Sequence, residues 1–274
     1  MSLSAQEFNY IRDLVRQRSA IVLDTGKEYL VESKLLPVVR RAGLPTLSDL
    51  VARLQMQPAS PLHRQVIEAM TTNETTFFRD FHPFEALKTA IIPEIMSNRA
   101  ASRTLDIWCG ACSSGQEPYT IAILIREHFP QLASWELRLL GTDLSTEMLE
   151  RARAGVYNQI EINRGLPAAL LVKFFSMHGP EWHIKDELRQ MVEFRELNLA
   201  GTWPALTGMD LICLRNVLIY FDNETKKSIL GKIRRLLRPD GYLFLGSAET
   251  TLNLDEDFER VQPEKAGCYR LRRT

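Results

Sequence analysis

The sequence predicts an α/β protein: a doubly wound, mostly parallel sheet preceded by a small all-α domain. From Thr104 onward, short apolar strands alternate with amphipathic helical stretches. Alternation of that kind builds a parallel sheet with helices on both faces. Before about residue 75 only helical periodicity occurs. At 274 residues the chain can hold one large domain, or a small one and a medium one.

Ser4 and Glu7 stand at capping-box spacing ahead of Phe8, Ile11, Leu14 and Val15. A second helix is predicted from about Lys27 to Arg41, stopped by Gly43, with Pro37 inside it removing a backbone donor and kinking it. A third carries Leu47, Leu50, Val51 and Leu54; a fourth, beyond Pro58-Ala-Ser-Pro61, carries Leu62, Val66, Ile67 and Met70. The expected boundaries are 1–75 for this helical domain, 76–103 for a linker and first catalytic-region helix, and 104–274 for the α/β domain. Its predicted strands are Thr104–Trp108, Leu137–Gly141, Val192–Leu197, Asp210–Cys213 and Tyr242–Gly246, with helices such as Ser145–Ala154 and Glu224–Leu237 between them. Phe258–Val261 and Cys268–Leu271 are joined by Gln-Pro-Glu-Lys-Ala-Gly, too short a link for a crossover, so they should be antiparallel. The long stretch at about 156–190 is expected to form an inserted subdomain.

The 34 basic and 34 acidic side chains cancel, so no global field favours nucleic acid or an anionic membrane. No apolar run reaches the ~20 residues of a membrane span, and the amino terminus lacks the features of a secretory signal. Cysteines at 109, 112, 213 and 268 are too few and uneven for a disulfide scaffold. A reduced, cytoplasmic protein is expected.

The segment Thr104-Leu-Asp-Ile-Trp-Cys-Gly-Ala-Cys-Ser-Ser-Gly-Gln-Glu-Pro-Tyr-Thr120 admits several chemistries. Trp108 to Cys112 has the look of a thioredoxin-type redox pair. The Ser113-Ser114-Gly115-Gln116 stretch that follows suits a turn rather than a continuing helix, and a zinc site would lack a second CxxC. The preferred reading makes both cysteines small residues packed in a tight turn. Gly110 and Gly115 have Walker-loop spacing, but Gln116 stands where the phosphate-binding lysine belongs, and G-x-G-x-x-G is not met. What remains is an apolar strand, a loose glycine turn and an acidic residue, Asp143, ending the next strand. That suits a ligand with a ribose and no pyrophosphate, of which S-adenosylmethionine is the common example.

Further blocks sharpen this. Thr71-Thr-Asn-Glu-Thr-Thr-Phe-Phe-Arg79, Gly115-Gln-Glu-Pro-Tyr119, Cys213-Leu-Arg-Asn-Val-Leu-Ile-Tyr-Phe221 and Leu237-Arg-Pro-Asp-Gly-Tyr-Leu resemble the CheR family of chemotaxis-receptor methyltransferases, in order from about residue 5 to 272. The resemblance implies a Rossmann-like, doubly wound S-adenosylmethionine-dependent methyltransferase domain behind an all-α domain. It also implies methyl transfer to glutamate side chains on cytoplasmic receptor helices, giving γ-glutamyl methyl esters and S-adenosyl-L-homocysteine. A glutamate of pKa about 4.3 is already ionised at neutral pH, so alignment and water exclusion are the protein's tasks. Such positioning is worth roughly 7–11 kcal/mol in well-oriented systems.

By resemblance, Asn73, Thr75 and Arg79 meet the methionine end of the cofactor. Arg79 offers a planar fork to a carboxylate, the cofactor's or the incoming glutamate's. Gly110 lies in the cofactor loop, Glu117 takes the ammonium and Asp143 the ribose. Asn198, Leu199, Asn216 and Val217 line the adenosine and methionine sites after the third and fourth strands. Tyr220 points its hydroxyl at the transfer site, making Arg79 and Tyr220 the catalytic candidates. The five histidines show no shared ligand spacing, and no metal is expected.

The partner implied is the cytoplasmic helical region of methyl-accepting receptors, with no nucleic acid, no membrane insertion, a monomeric enzyme and recruitment to receptor arrays. Lys27, Lys34 and Arg41 recur on one helical face, with Arg40 nearby, and form the expected docking surface. Family members often carry more basic residues here. Relatives that bind a receptor-tail pentapeptide carry a glycine-rich turn beside free-edged strands. Here the matching segment, Phe174 to His183, is shorter and holds one glycine, so activity without that tether is expected. Alternatives are a same-family enzyme acting on a non-chemotaxis sensor, a cofactor-binding regulator without transfer activity, and a thiol oxidoreductase.

Overall fold

A computed structural model describes residues 3–58, 60–206, 208–261 and 266–272. Ser4 opens helix α1 (Ala5–Ser19) by accepting the Glu7 amide while the Glu7 carboxylate accepts its own, the reciprocal cap that the spacing foretold. Helices α2 (Glu28–Arg41), α3 (Leu47–Met56) and α4 (Pro61–Met70) follow, the last two capped by the Thr46 and Ser60 hydroxyls. Helices this short are marginal alone in water; their apolar stripes meet in one core around Ile11, Leu35, Leu50, Leu54 and Val66. Pro37 does not interrupt α2. It lies on the exposed side, as does Ser33 one turn back, where water can reach the carbonyl that lost its donor.

The chain divides into two compact units, Met1–Thr72 with Tyr220–Thr225, and Asn73–Ile219 with Lys226–Thr274. The break therefore falls at Thr72 rather than at residue 75, and Tyr220 groups with the helical unit. Within that unit Val22 donates its amide to the Tyr220 carbonyl at 3.0 Å, and Arg16 pairs with Asp222 at 3.0 Å.

The second unit begins with α5 (His82–Ala86), a π-helical turn (Leu87–Ile91) and α6 (Ile92–Asn98). Strand β1 (Thr104–Gly110), α7 (Gln116–His128), β2 (Glu136–Asp143) and α8 (Thr146–Ala154) come next. The insertion holds β3 (Val156–Asn158), α9 (Gln159–Asn163), α10 (Ala168–Phe174), β4 (Phe175–His178), β5 (Glu181–Ile184) and α11 (Asp186–Arg189). The chain then completes its main sheet with β6 (Val192–Glu196), β7 (Met209–Leu214), β8 (Leu237–Leu245), β9 (Phe258–Arg260) and β10 (Cys268–Leu271), α12 (Asn223–Leu236) lying between β7 and β8.

The strand order is β6-β2-β1-β7-β8-β10-β9. The first five pair in parallel, while β10 runs antiparallel to β8 and β9 to β10. The last two strands are thus antiparallel as expected; residues 262–265 of their link lie outside the described residues. Each predicted strand of the sheet forms, and β1, β2 and β8 extend further than their apolar cores suggested. The order reverses between β1 and β7, the place where open α/β sheets gather ligands at the carboxyl ends of their strands. Cys109, Cys213, Phe244 and Cys268 are paired in one row across β1, β7, β8 and β10, and all are buried in the core.

The insertion is a small three-stranded antiparallel sheet, β3-β5-β4. Buried Tyr157 fastens it, donating its hydroxyl to the Ser114 carbonyl at 2.8 Å. Phe77 meets Tyr157 and Phe175 edge-on, with ring centroids 5.1 and 5.6 Å away. Toward the amino-terminal half of the sheet, Asp210 accepts from Arg99 at 2.8 Å and from the Asp106 amide at 3.0 Å, while Arg99 also clamps Asp240. Burial pushes the Asp210 carboxyl up despite these donors, and this cluster serves the fold. Among the described residues no helix is long and apolar enough to cross a membrane.

Candidate active site

The turn after β1 is held by its own backbone. Cys112 donates its amide to the Thr142 carbonyl at 2.9 Å, and Ser113 donates its amide to the Asp143 carboxylate at 2.7 Å. The Ser113 hydroxyl reaches the Asn73 carbonyl at 2.8 Å, which ties the T-N-E-T-T-F-F-R segment to the loop. Gly115 sits at φ +91, and a Cβ there would meet Ala152 at 3.0 Å and Phe194 at 3.2 Å; only glycine fits. Gly110 ends β1 against Trp108 and Leu214. Asp143 also accepts the Ser145 amide at 2.9 Å, so this buried carboxylate fixes both the turn and the approach to α8.

Glu117, in the first turn of α7, accepts from Arg215 Nη1 at 2.7 Å. Arg215 Nη2 donates to the Arg79 carbonyl and to Asp80, each at 2.8 Å, and its guanidinium lies 5.5 Å from the Phe84 ring. The Arg215 side chain is 3% exposed and that of Glu117 14%. Burial works against the guanidinium's charge while Glu117 and Asp80 sustain it, leaving its pKa above the ordinary value. Its Nε is buried with no hydrogen-bond partner among the described residues. Reading the sequence missed Arg215 as the partner of Glu117, although it is the charged member of the R-N-V-L-I-Y-F block. Arg79 itself is half-buried and donates from Nη1 to the Glu74 carbonyl at 3.0 Å.

Three loops around this centre carry non-glycine residues in the left-handed region: Phe78, Asp80 and Phe81 (φ 48, 67 and 40), Ala111 and Ser113 (φ 53 and 50), and Asn216 (φ 59). Such strain persists where surrounding contacts over-determine it, often at functional sites. Asn216 and Val217 leave β7 with their amides bound to the Glu249 carboxylate. On the loop after β6, the Asn198 side chain accepts the Ala200 amide at 3.0 Å. The Leu199 carbonyl accepts from the Trp203 indole at 3.0 Å and the Lys232 ammonium at 3.2 Å. Thr75 lies partly buried between Asn73 and Arg79.

The docking stripe needs correction. Lys34 turns inward, donating to the carbonyls of Met70 at 3.3 Å and Thr71 at 2.7 Å, and burial lowers its pKa. The open carbonyls at the end of α4 explain this. Lys27 lies at the N-cap, outside α2, and pairs with Asp24 at 2.6 Å. Arg40 and Arg41 are exposed in the last turn of α2.

Sulfur and carboxylate atoms of Cys109, Glu117 and Cys213 lie within 4.8 Å of one another. Arg215 already neutralises that carboxylate, and a metal there would have to displace it. Burial pushes the Cys109 and Cys112 thiols far up, the reverse of a redox-active thiol. Cys109 lies within β1 and Cys112 in the turn. Replacing both by alanine is expected to leave methyl transfer within about two-fold of the parent and to cost about 1 kcal/mol of stability per site. Abolished transfer by a normally folded double variant would restore a role for the thiols.

Comparison with known proteins decides the family. The all-alpha domain of CheR methyltransferase matches residues 6–71, and its SAM binding domain matches residues 73–266. The chain belongs to the CheR methyltransferase family. It is 41% identical to the chemotaxis protein methyltransferase Cher2 of Pseudomonas putida and 40% identical to chemotaxis protein methyltransferase 1 of Pseudomonas aeruginosa, each over 99% of this chain and 100% of the relative. A TehB-like SAM-dependent methyltransferase structure from Corynebacterium glutamicum shares 15% identity over 65% of this chain and 86% of its own, at a TM-score of 0.39, too distant to carry an argument. The CheR chain is an S-adenosylmethionine-dependent methyltransferase of the chemotaxis type, and its donor set fits that cofactor. Carboxylates of Glu117 and Asp143 stand beside the glycine turn and are acceptors of the kind an ammonium and a ribose diol need, and Gln116 rather than a lysine stands at the Walker position.

Proposed function

We propose that this chain methylates glutamate side-chain carboxylates on the cytoplasmic helices of chemoreceptors, giving γ-glutamyl methyl esters for chemotactic adaptation. The full-length likeness to chemotaxis protein methyltransferases is the observation that carries this reading. S-adenosylmethionine supplies a methyl group already activated on a sulfonium. The acceptor is already an anion at neutral pH, so a new C–O bond replaces the S–C bond with no proton to remove. The chain's own residues orient and desolvate.

In this proposal Glu117, held by Arg215, takes the cofactor's ammonium, and Asp143 faces the ribose. Asn73, Thr75 and Arg79 take the methionine end, Gly110 lets the backbone approach, and Asn198, Leu199, Asn216 and Val217 line the remainder. Arg79 and Tyr220 act on the acceptor side, Tyr220 on family resemblance alone. Receptor docking falls to the basic residues Lys27, Lys34, Arg40 and Arg41, of which Lys34 also donates internally and Lys27 also pairs with Asp24. The enzyme works as a monomer in the cytoplasm, recruited to receptor arrays.

The test incubates the protein and receptor-rich membranes with methyl-labelled S-adenosylmethionine, then measures methanol released by base. Base-labile label that appears only with membranes supports the reading; base-stable label sinks the carboxylate assignment. A further expectation concerns the receptor-tail pentapeptide. The turn between β4 and β5 holds a single glycine, Gly179. Calorimetry with the peptide is expected to show no binding, and micromolar affinity would overturn that view.

A further inference from the structure

Glu249 follows β8 and is 9% exposed, yet its carboxylate accepts four backbone amides. Oε2 takes Gly246 at 2.6 Å and Asn216 at 2.7 Å; Oε1 takes Val217 at 2.8 Å and Leu218 at 2.7 Å. An ionised carboxylate has about four acceptor positions, so this group is saturated, and three of its donors belong to the loop leaving β7. Asn216 is the residue of that loop at φ 59, a conformation uncommon outside glycine though asparagine tolerates it better than most, and the Glu249 bonds hold its amide there. The two loops approach so closely that a Cβ at Gly246 would meet Glu249 Oε2 and Asn216 Nδ2, each at 2.8 Å. A glycine at 246 is what lets the carboxylate reach across.

We propose that Glu249 is a positioning residue for methyl transfer: it fixes the backbone of Asn216–Leu218 so that the loop receives the cofactor, without touching it. This rests on the reading that Asn216 and Val217 line the cofactor site. A glutamine at 249 keeps one acceptor oxygen and turns an NH2 group toward two amide donors, so at least two of the four bonds are lost. Charge-assisted bonds of this kind are individually strong.

The test is Glu249→Gln, read by hydrogen exchange, by calorimetry with S-adenosylhomocysteine and by steady-state kinetics. Exchange at the Asn216, Val217, Leu218 and Gly246 amides is expected to quicken roughly ten-fold or more. Affinity for S-adenosylhomocysteine should weaken roughly ten-fold, with the KM for S-adenosylmethionine rising by a similar factor and kcat changing less. Unchanged exchange at these amides overturns the latch. Faster exchange with unchanged affinity and KM also overturns the proposal, and traces the failure to the placement of Asn216 and Val217 rather than to the latch. Should the glutamine variant not fold, Glu249→Asp, which keeps the charge but is one methylene shorter, is read by the same measurements with intermediate changes expected.

Discussion

Arg215→Met is expected to lower the unfolding free energy by about 3 kcal/mol and to weaken S-adenosylhomocysteine binding at least roughly ten-fold. The guanidinium is buried and ties its own loop to two other chain segments: Glu117 of α7, and the Arg79 carbonyl with neighbouring Asp80 at the end of the T-N-E-T-T-F-F-R block. Its removal leaves the Glu117 carboxylate in poorly solvated surroundings with its counter-charge gone. Losing one partner of a buried pair costs much more than the pair contributes. The second variant, Arg215→Met with Glu117→Gln, separates two effects. It removes the stranded charge and should recover at least half of the lost stability, yet not the affinity, since the carboxylate proposed to take the ammonium is gone. Denaturant titrations with and without S-adenosylhomocysteine measure both. A single variant with unaltered midpoint and affinity would show that the guanidinium organises nothing.

Arg79→Ala should reduce methyl transfer about 10²–10³-fold, the range for removing one preorganised donor from an active site. Its stability change should be small, because the side chain is half-buried and its observed bond is the one to the Glu74 carbonyl. Arg79→Lys should not restore activity: an ammonium is a point charge and lacks the planar fork that grips a carboxylate at two points. Label transfer to receptor membranes, alongside thermal melting, checks both halves. Full activity in either variant would move the acceptor-side role elsewhere.

The strands were legible because an apolar run between turn signals leaves little choice, and the capping box at Ser4 because its two partners lie within one turn. The family was legible because the blocks that carry the resemblance are distinctive in residue identity. Other features depend on partners distant in the chain. Helical periodicity assigns Lys34 to a face, but the open carbonyls of Met70 and Thr71 decide where its ammonium goes. Pro37 signals a lost donor, while exposure of that side of α2 decides that the helix continues. Ala111 and Ser113 adopt left-handed backbone although neither is glycine or asparagine, so residue identity gave no sign of it. Arg215 was in view within its block and Glu249 was not singled out; neither could be read as a partner, because most of their ligands come from segments far away in sequence.

The row of cysteines at the centre of the sheet has one more consequence. Cys109, Cys213 and Cys268 are sealed on β1, β7 and β10, so a water-borne disulfide reagent reaches them only when the strands part. Their modification rate is therefore a clock for rare openings of the catalytic core. Saturating S-adenosylhomocysteine at about 100 times its Kd should slow that clock roughly a hundred-fold where opening requires ligand release. Thiols expected to be dispensable for transfer thus serve as a built-in gauge of the core's cohesion.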